Sequence, residues 1–168
     1  PTFLSEHHPL ANVNNEYNAV YVHGEAVGET MFYGPGAGSL PTATAIMSDV
    51  VSVIKNLRLG ISGSQYTEAH FNKDLKPARE RYGQYYVRLH VKDEVGVFSK
   101  ISSLFNEHNI SFKRILQNPI EEDENAEIVV VTHETSLENF QVAMQQLHEL
   151  DAVQEVKSYY KVEGDAEE

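Results

Sequence analysis

The chain has 168 residues, 41% hydrophobic and 23% charged, enough for one ordinary domain or two small ones. Its formal net charge of −12 sets up a field that repels phosphate backbones and anionic lipid, which argues against nucleic-acid and membrane partners. With no cysteine, disulfides and thiolate metal sites are excluded; with no apolar run near the ~20 residues of a membrane span and no leader-like basic and apolar segment, a cytoplasmic location is expected.

The chain opens at Pro1 without a methionine, and its first dozen residues do not resemble a domain start, so an internal boundary is expected there. Tyr17–His23 is rich in β-formers, Gly24–Gly28 is a turn-like break, and Glu29–Tyr33 returns as the second strand of a hairpin. A glycine-rich loop, Gly34–Gly38, then runs into a helix with Pro41 in its first turn. Ile46, Val50, Val53, Ile54 and Leu57 recur on one face of that helix, which expects something to cover it, and Gly60 is a stop signal.

A glycine turn before a helix exposes backbone N–H groups to an approaching anion. Yet Gly34, Gly36 and Gly38 are spaced G-x-G-x-G, so the dinucleotide fingerprint G-x-G-x-x-G fails. Only about thirty residues precede the loop, too few for the βαβ unit that frames such a site. A tight turn needing positive φ at Gly36 is the structural alternative. Thr42 is placed either to add a hydroxyl near the helix start or to cap it.

Residues 61–82 change character, with Gly63, Pro77 and a mixed-charge run, and read as a linker. Beyond it the pattern is regular. Tyr85, Val87, Leu89 and Val91 alternate along a half-buried strand, and Val97, Ile101, Leu104 and Phe105 line a helix ending near Asn109. Ile110–Leu116 is strand-like, and Glu127–Thr132 is a β-branched run expected to be a central strand. Thr135 and Glu138 form a capping box, with Thr135 as N-cap, for a helix carried by Leu137, Phe140, Met144 and Leu147. Val153–Val162 closes the series, and residues 164–168 are an acidic tail.

The order β-α-β-β-α-β over residues 83–163 is that of a ferredoxin-like split βαβ, an α+β fold with both helices on one sheet face. Its bare face and exposed edges invite a second copy. Tyr85, Tyr86, Tyr159 and Tyr160 fall on strands and are read as sheet packing; His90 and His133 are read as surface or edge residues. The eight histidines show no metal-ligand spacing, so no metal site is assigned.

The run Val91–Phe98 (VKDEVGVF), followed by Asn109-Ile110-Ser111, resembles an ACT domain, a small regulatory module that binds amino acids. Many such domains have proline before the glycine; here it is Val95. The stretch HPLANVNNEYNAVYV with GPGAGSLPTATAIMSD resembles the end of the catalytic region of homoserine dehydrogenase, many of which carry an ACT domain after that region.

The resemblance implies that residues 1–60 are the C-terminal part of the catalytic region and residues 83–163 the regulatory domain. It implies an NADP or NAD site near Gly34, Gly36, Ala37, Gly38 and Thr42, at the nicotinamide end, with Gly36 the foremost contact. The nucleotide-binding fold and the catalytic residues are expected upstream of Pro1, so no catalytic residue is assigned, no cofactor is expected to bind this chain alone, and the chain is expected to be inactive. It also implies an effector pocket of Asp93, Val95, Gly96 and Val97, completed by Asn109, Ile110 and Ser111 of a neighbouring copy in a homodimer or higher oligomer. Threonine is the expected effector. Asp93 would accept from the ammonium group and N–H groups near Gly96 would hold the carboxylate. The bland alternatives are that Asp93 caps the helix and Gly96 permits a turn, and that the sheet only drives dimerisation and binds no ligand.

Overall fold

A computed structural model describes residues 1–61, 74–120 and 125–163. In chain order the elements are β1 (Thr2–Leu4), a 3-10 turn (Pro9–Asn12), β2 (Tyr17–Gly24), β3 (Gly28–Pro35) and α1 (Ser39–Leu59). A second 3-10 turn (Ala78–Glu80) precedes β4 (Tyr82–Lys92), α2 (Val97–Glu107), β5 (Phe112–Ile120) and β6 (Asn125–Thr132). Then come β7 (Thr135–Ser136), α3 (Leu137–Leu147) and β8 (Val153–Glu163). The chain divides into two compact units, residues 6–73 and residues 1–5 with 74–168. The acidic run at 121–124, the tail at 164–168 and most of the expected linker lie outside the described residues.

The larger unit is the expected α+β sandwich. Its sheet runs β1-β8-β4-β6-β5, and β7 adds a short pairing to β4. The four long strands pair antiparallel in the ferredoxin-like order, with β6 between β4 and β5. Alternation in β4 sends Tyr85, Val87, Leu89 and Val91 to one face, where all are buried. Ala126, Ile128 and Val130 of β6 join them. Against this face lie Val97, Ile101, Leu104 and Phe105 of α2 and Phe140, Ala143, Met144 and Leu147 of α3. Aromatic contacts tie the layers: Tyr85 stacks on Phe140 at 3.8 Å, and Phe105 meets Phe112 edge-on at 4.9 Å. The Tyr85 N–H donates to the buried Thr132 Oγ1 at 3.0 Å, so that hydroxyl is satisfied inside the core.

Several details differ from expectation. Ser136, not Thr135, caps α3, accepting from Asn139 N–H at 3.2 Å. Thr135 is drawn into β7, where it pairs with Gly83 of β4, so the strand pairing outcompetes the capping box and moves the cap one residue on. Strand β5 starts at Phe112, because Asn109 takes φ 56° and turns the chain, sending Ile110 into the core. Register shifts between β4 and β8 at Arg88/Leu89 and His90/Val91 leave Lys157 and Gln154 with no residue opposite them in β4, which keeps Val156 and Val153 on the core side.

Residues 2–4 carry no periodic pattern in the sequence. They form β1, which pairs in parallel with β8 through Thr2–Lys161, Phe3–Val162 and Leu4–Glu163. Phe3 sits edge-on to Tyr86 and Tyr160, at 4.9 and 5.1 Å, on the face away from the helices. On that face Arg88 donates to Glu127 at 2.5 Å, with His90 Nε2 3.7 Å from the same carboxylate oxygen. The Glu127 carboxylate holds the Arg88 guanidinium above its ordinary pKa.

In the smaller unit, β2 and β3 form the expected hairpin, in full register from Tyr17–Pro35 to Gly24–Gly28. Tyr17 stacks on Tyr33 at 5.0 Å and His8 meets Tyr21 edge-on at 4.9 Å. The Tyr21 hydroxyl hydrogen-bonds Glu29, which raises its pKa. The α1 helix starts at Ser39, two residues before Pro41, and ends at Gly60 in a left-handed cap. None of its residues is buried; Ile46, Met47, Val50, Val51, Val53, Ile54 and Leu57 stand exposed along a broad apolar arc.

Candidate functional site

The glycine loop joins β3 to α1. Its three glycines are there for different reasons. Gly38 has φ 120° and serves as the N-cap of α1, a backbone state that a side chain would strain. Gly36 does not have positive φ, contrary to the tight-turn alternative. It is glycine because Asn18 presses on it: a Cβ there would lie 2.7 Å from Asn18 Cγ and closer still to Nδ2. The Gly36 N–H donates to Glu16 O at 2.7 Å. Gly34 has neither constraint; φ is ordinary and nothing lies within 4 Å of where a Cβ would stand. Among the described residues, therefore, nothing requires glycine at position 34.

Thr42 does not cap the helix. Its N–H already donates to Gly38 O at 3.2 Å within the first turn, and no side chain caps α1. Pro41 has no N–H, so the Ser39 and Leu40 N–H groups are the first-turn donors left without a side-chain acceptor, at the positive pole of the helix. Ala37 and Gly38 lie on this loop, and Gly34 lies near the end of β3 that leads into it, paired with Asn18.

In the larger unit, Asp93–Val97 forms the turn between β4 and α2. Gly96 is the N-cap of α2 with φ 91°, and no side chain caps the helix, so Asp93 does not act as a cap. Val95 stands fully in solvent. Val97 is 5% and Ile110 4% exposed; their side chains belong to the core, so each can offer a ligand only main-chain atoms. Asn109 and Ser111 line a hollow of about 410 Å³ with Ser102, Asn106, Ile110 and Phe112. This hollow lies at the C-terminal end of α2, whereas Asp93–Val97 lies at its N-terminal end. Eleven helical residues, about 16 Å, separate them. One copy therefore cannot close both halves around one small ligand. Among the described residues no three His, Asp or Glu side chains gather as a metal set, and no helix is long and apolar enough to cross a membrane.

Residues 1–51 match the homoserine dehydrogenase family and residues 85–152 the ACT domain family. The chain therefore joins a homoserine dehydrogenase family match to an ACT domain. It is 58% identical to the homoserine dehydrogenase of Bacillus subtilis over 165 residues, which covers 98% of this chain and 38% of that protein. The homoserine dehydrogenase of Corynebacterium glutamicum is 37% identical, over 98% of this chain and 36% of its own length. Among solved structures, homoserine dehydrogenase from Thiobacillus denitrificans superposes with a TM-score of 0.74 at 30% identity, covering 97% of this chain and 38% of that one. The Staphylococcus aureus enzyme gives 0.55 at the same identity, over 98% of this chain and 37% of its own. The chain thus spans less than two-fifths of the length of these relatives.

The two matched stretches divide the chain almost as its units do, with one exception. Residues 2–4 fall in the homoserine dehydrogenase match, yet they are a strand of the sheet that carries the ACT domain.

Proposed function

We propose that this chain serves a cytoplasmic, NAD(P)-dependent homoserine dehydrogenase that interconverts L-aspartate 4-semialdehyde and L-homoserine. In it, residues 6–60 furnish one wall of the nicotinamide site and the ACT domain responds to an amino-acid effector, threonine. The observation that carries the reading is the pairing of the two family matches with two uncapped helix starts, at Gly38 and Gly96, each on a glycine loop.

The loop fits a nicotinamide nucleotide on its own terms. Gly34 leaves open room where a ring can lie close to main chain, and the free first turn of α1 suits an electron-rich group. When bound, the nucleotide supplies the hydride acceptor. Gly34, Ala37, Gly38 and Thr42 would hold its reactive end, with Gly36 keeping the loop in place. The exposed apolar arc of α1 supports the same view, since the rest of a longer enzyme is the natural cover for it. The groups that hold homoserine and move its hydroxyl proton are assigned to that remainder.

In the ACT domain, Asp93 accepts from the ammonium of an α-amino acid while N–H groups at the start of α2 take its carboxylate. Asn109 and Ser111 of a second copy complete the pocket, which the span of α2 within one copy requires. Edge strand β5 is the pairing surface, with Ile115 and Leu116 exposed along it.

Thermal-shift measurement with threonine, isoleucine, methionine and lysine tests the reading. Threonine at a hundred times its dissociation constant should stabilise the fold by about 2.7 kcal/mol. Stabilisation by none of the four would favour a second reading, in which the unpaired edge of β5 drives dimerisation alone.

A further inference from the structure

The start of β2 grips the glycine loop twice. Glu16 accepts the Gly36 N–H through its main-chain carbonyl at 2.7 Å. Two residues on, the Asn18 side chain lies where a Cβ of Gly36 would be, with Cγ 2.7 Å from that position. Between them Tyr17 pairs with Pro35 and stacks on Tyr33, so the backbone on both sides of the contact is fixed by the hairpin.

We propose that Asn18 is a positioning residue for the nicotinamide nucleotide: its carboxamide fills the room beside Gly36 and sets how far the glycine loop stands from the cofactor. The proposal rests on the assignment of this loop to the nicotinamide site. It divides the glycines by cause. Gly36 lacks a side chain to admit Asn18, and Gly34 lacks one to admit something from outside the chain. Without Asn18, the loop has space to settle toward β2, away from a ligand on its open side. An amide suits this place because it is flat enough to lie against a bare Cα and polar enough to stand in solvent, as the exposed Asn18 does.

A double-mutant cycle in the full-length protein tests this. Asn18→Ala should raise KM for NADP or NAD roughly tenfold and lower kcat less. Gly36→Ala alone should raise KM further, because its methyl group meets the carboxamide. In the Asn18→Ala background the same Gly36→Ala change should cost little, since the methyl then occupies vacated space. Additive penalties, or an Asn18→Ala enzyme with unchanged KM, would overturn the proposal.

A second readout is independent of turnover. Amide exchange at the Gly36 N–H should quicken in Asn18→Ala as the bond to Glu16 loosens; unchanged exchange counts against the proposal. If the wild-type protein reduces neither nucleotide with homoserine, the assignment of the site has failed. Altered exchange at Gly36 would then still show that Asn18 holds the loop.

Discussion

At the scale of single residues, the ACT domain depends on a few large buried side chains. Phe105 is fully buried, and joins α2 to Phe112. Truncating it leaves a cavity between sheet and helix, so Phe105→Ala should cost about 3–5 kcal/mol in urea unfolding, a large part of an ordinary domain's stability. Tyr85 makes a different prediction. Burial holds its hydroxyl above the ordinary value of 10.0, against the opposing pull of Lys161 and Arg81. The unfolded chain releases that proton at lower pH than the folded one. The linked stability is therefore intact below pH 10.0 and lost as pH rises through the folded value. Unfolding measured from about pH 8 to 11 should show a shallower alkaline decline in Tyr85→Phe than in the wild type. The glycine loop shows where residue-level reading reaches its limit. Spacing alone excludes the dinucleotide fingerprint, but the reason for Gly36 is a neighbour eighteen positions back, which no local pattern contains.

At the scale of elements, local periodicity was a good guide where one face meets a core. The alternation in β4 and the helical spacing in α2 and α3 are direct imprints of burial, and each element stands where its pattern puts it. The pattern weakens where pairing decides. Thr135 carries a good capping signal, but its strand contact with Gly83 hands the cap to Ser136. In β8 two irregularities break the two-residue period, so its inward residues cannot be counted off from the sequence. Strand β1 has only three residues and no period at all; its place is set by the free edge of β8 and by the cleft between Tyr86 and Tyr160. Phe3→Ala removes both edge-to-face contacts and should destabilise the ACT unit by about 1–2 kcal/mol. Hydrogen exchange should show faster exchange along β8 in that variant, with the β5–β6 pair unaffected. Equal protection along β8 in variant and wild type would mean that β1 adds nothing to the sheet.

At the scale of the whole molecule, the two units present different kinds of surface. The ACT unit has a closed core and a sheet whose edge strands are β1 and β5, the form of a module that folds on its own. The unit of residues 6–73 has a hairpin and a 21-residue helix with no buried residue, the form of a part that a larger body covers. This contrast agrees with a chain matching 38% of the length of the B. subtilis enzyme. Assayed alone, the chain should show no homoserine-dependent reduction of NADP or NAD, because the groups proposed to hold homoserine and move its proton are assigned to the remainder of a longer enzyme. In chain order the smaller unit falls between β1 and β4, so it is joined covalently to an edge strand and to a central strand of the ACT sheet. An amino acid bound at the turn around Gly96, as proposed, would act only through unequal affinity for the two states it links.

The most direct test is homoserine-dependent NADP reduction by the full-length protein, with and without threonine, in the wild type and in Gly96→Leu. Gly96 has open space around it but φ 91°, so leucine would strain the turn without touching the core. The account predicts activity in both proteins, inhibition of the wild type by threonine, and loss of that inhibition in Gly96→Leu. Threonine inhibition that survives Gly96→Leu, or a wild type that reduces NADP with no response to threonine, would contradict it.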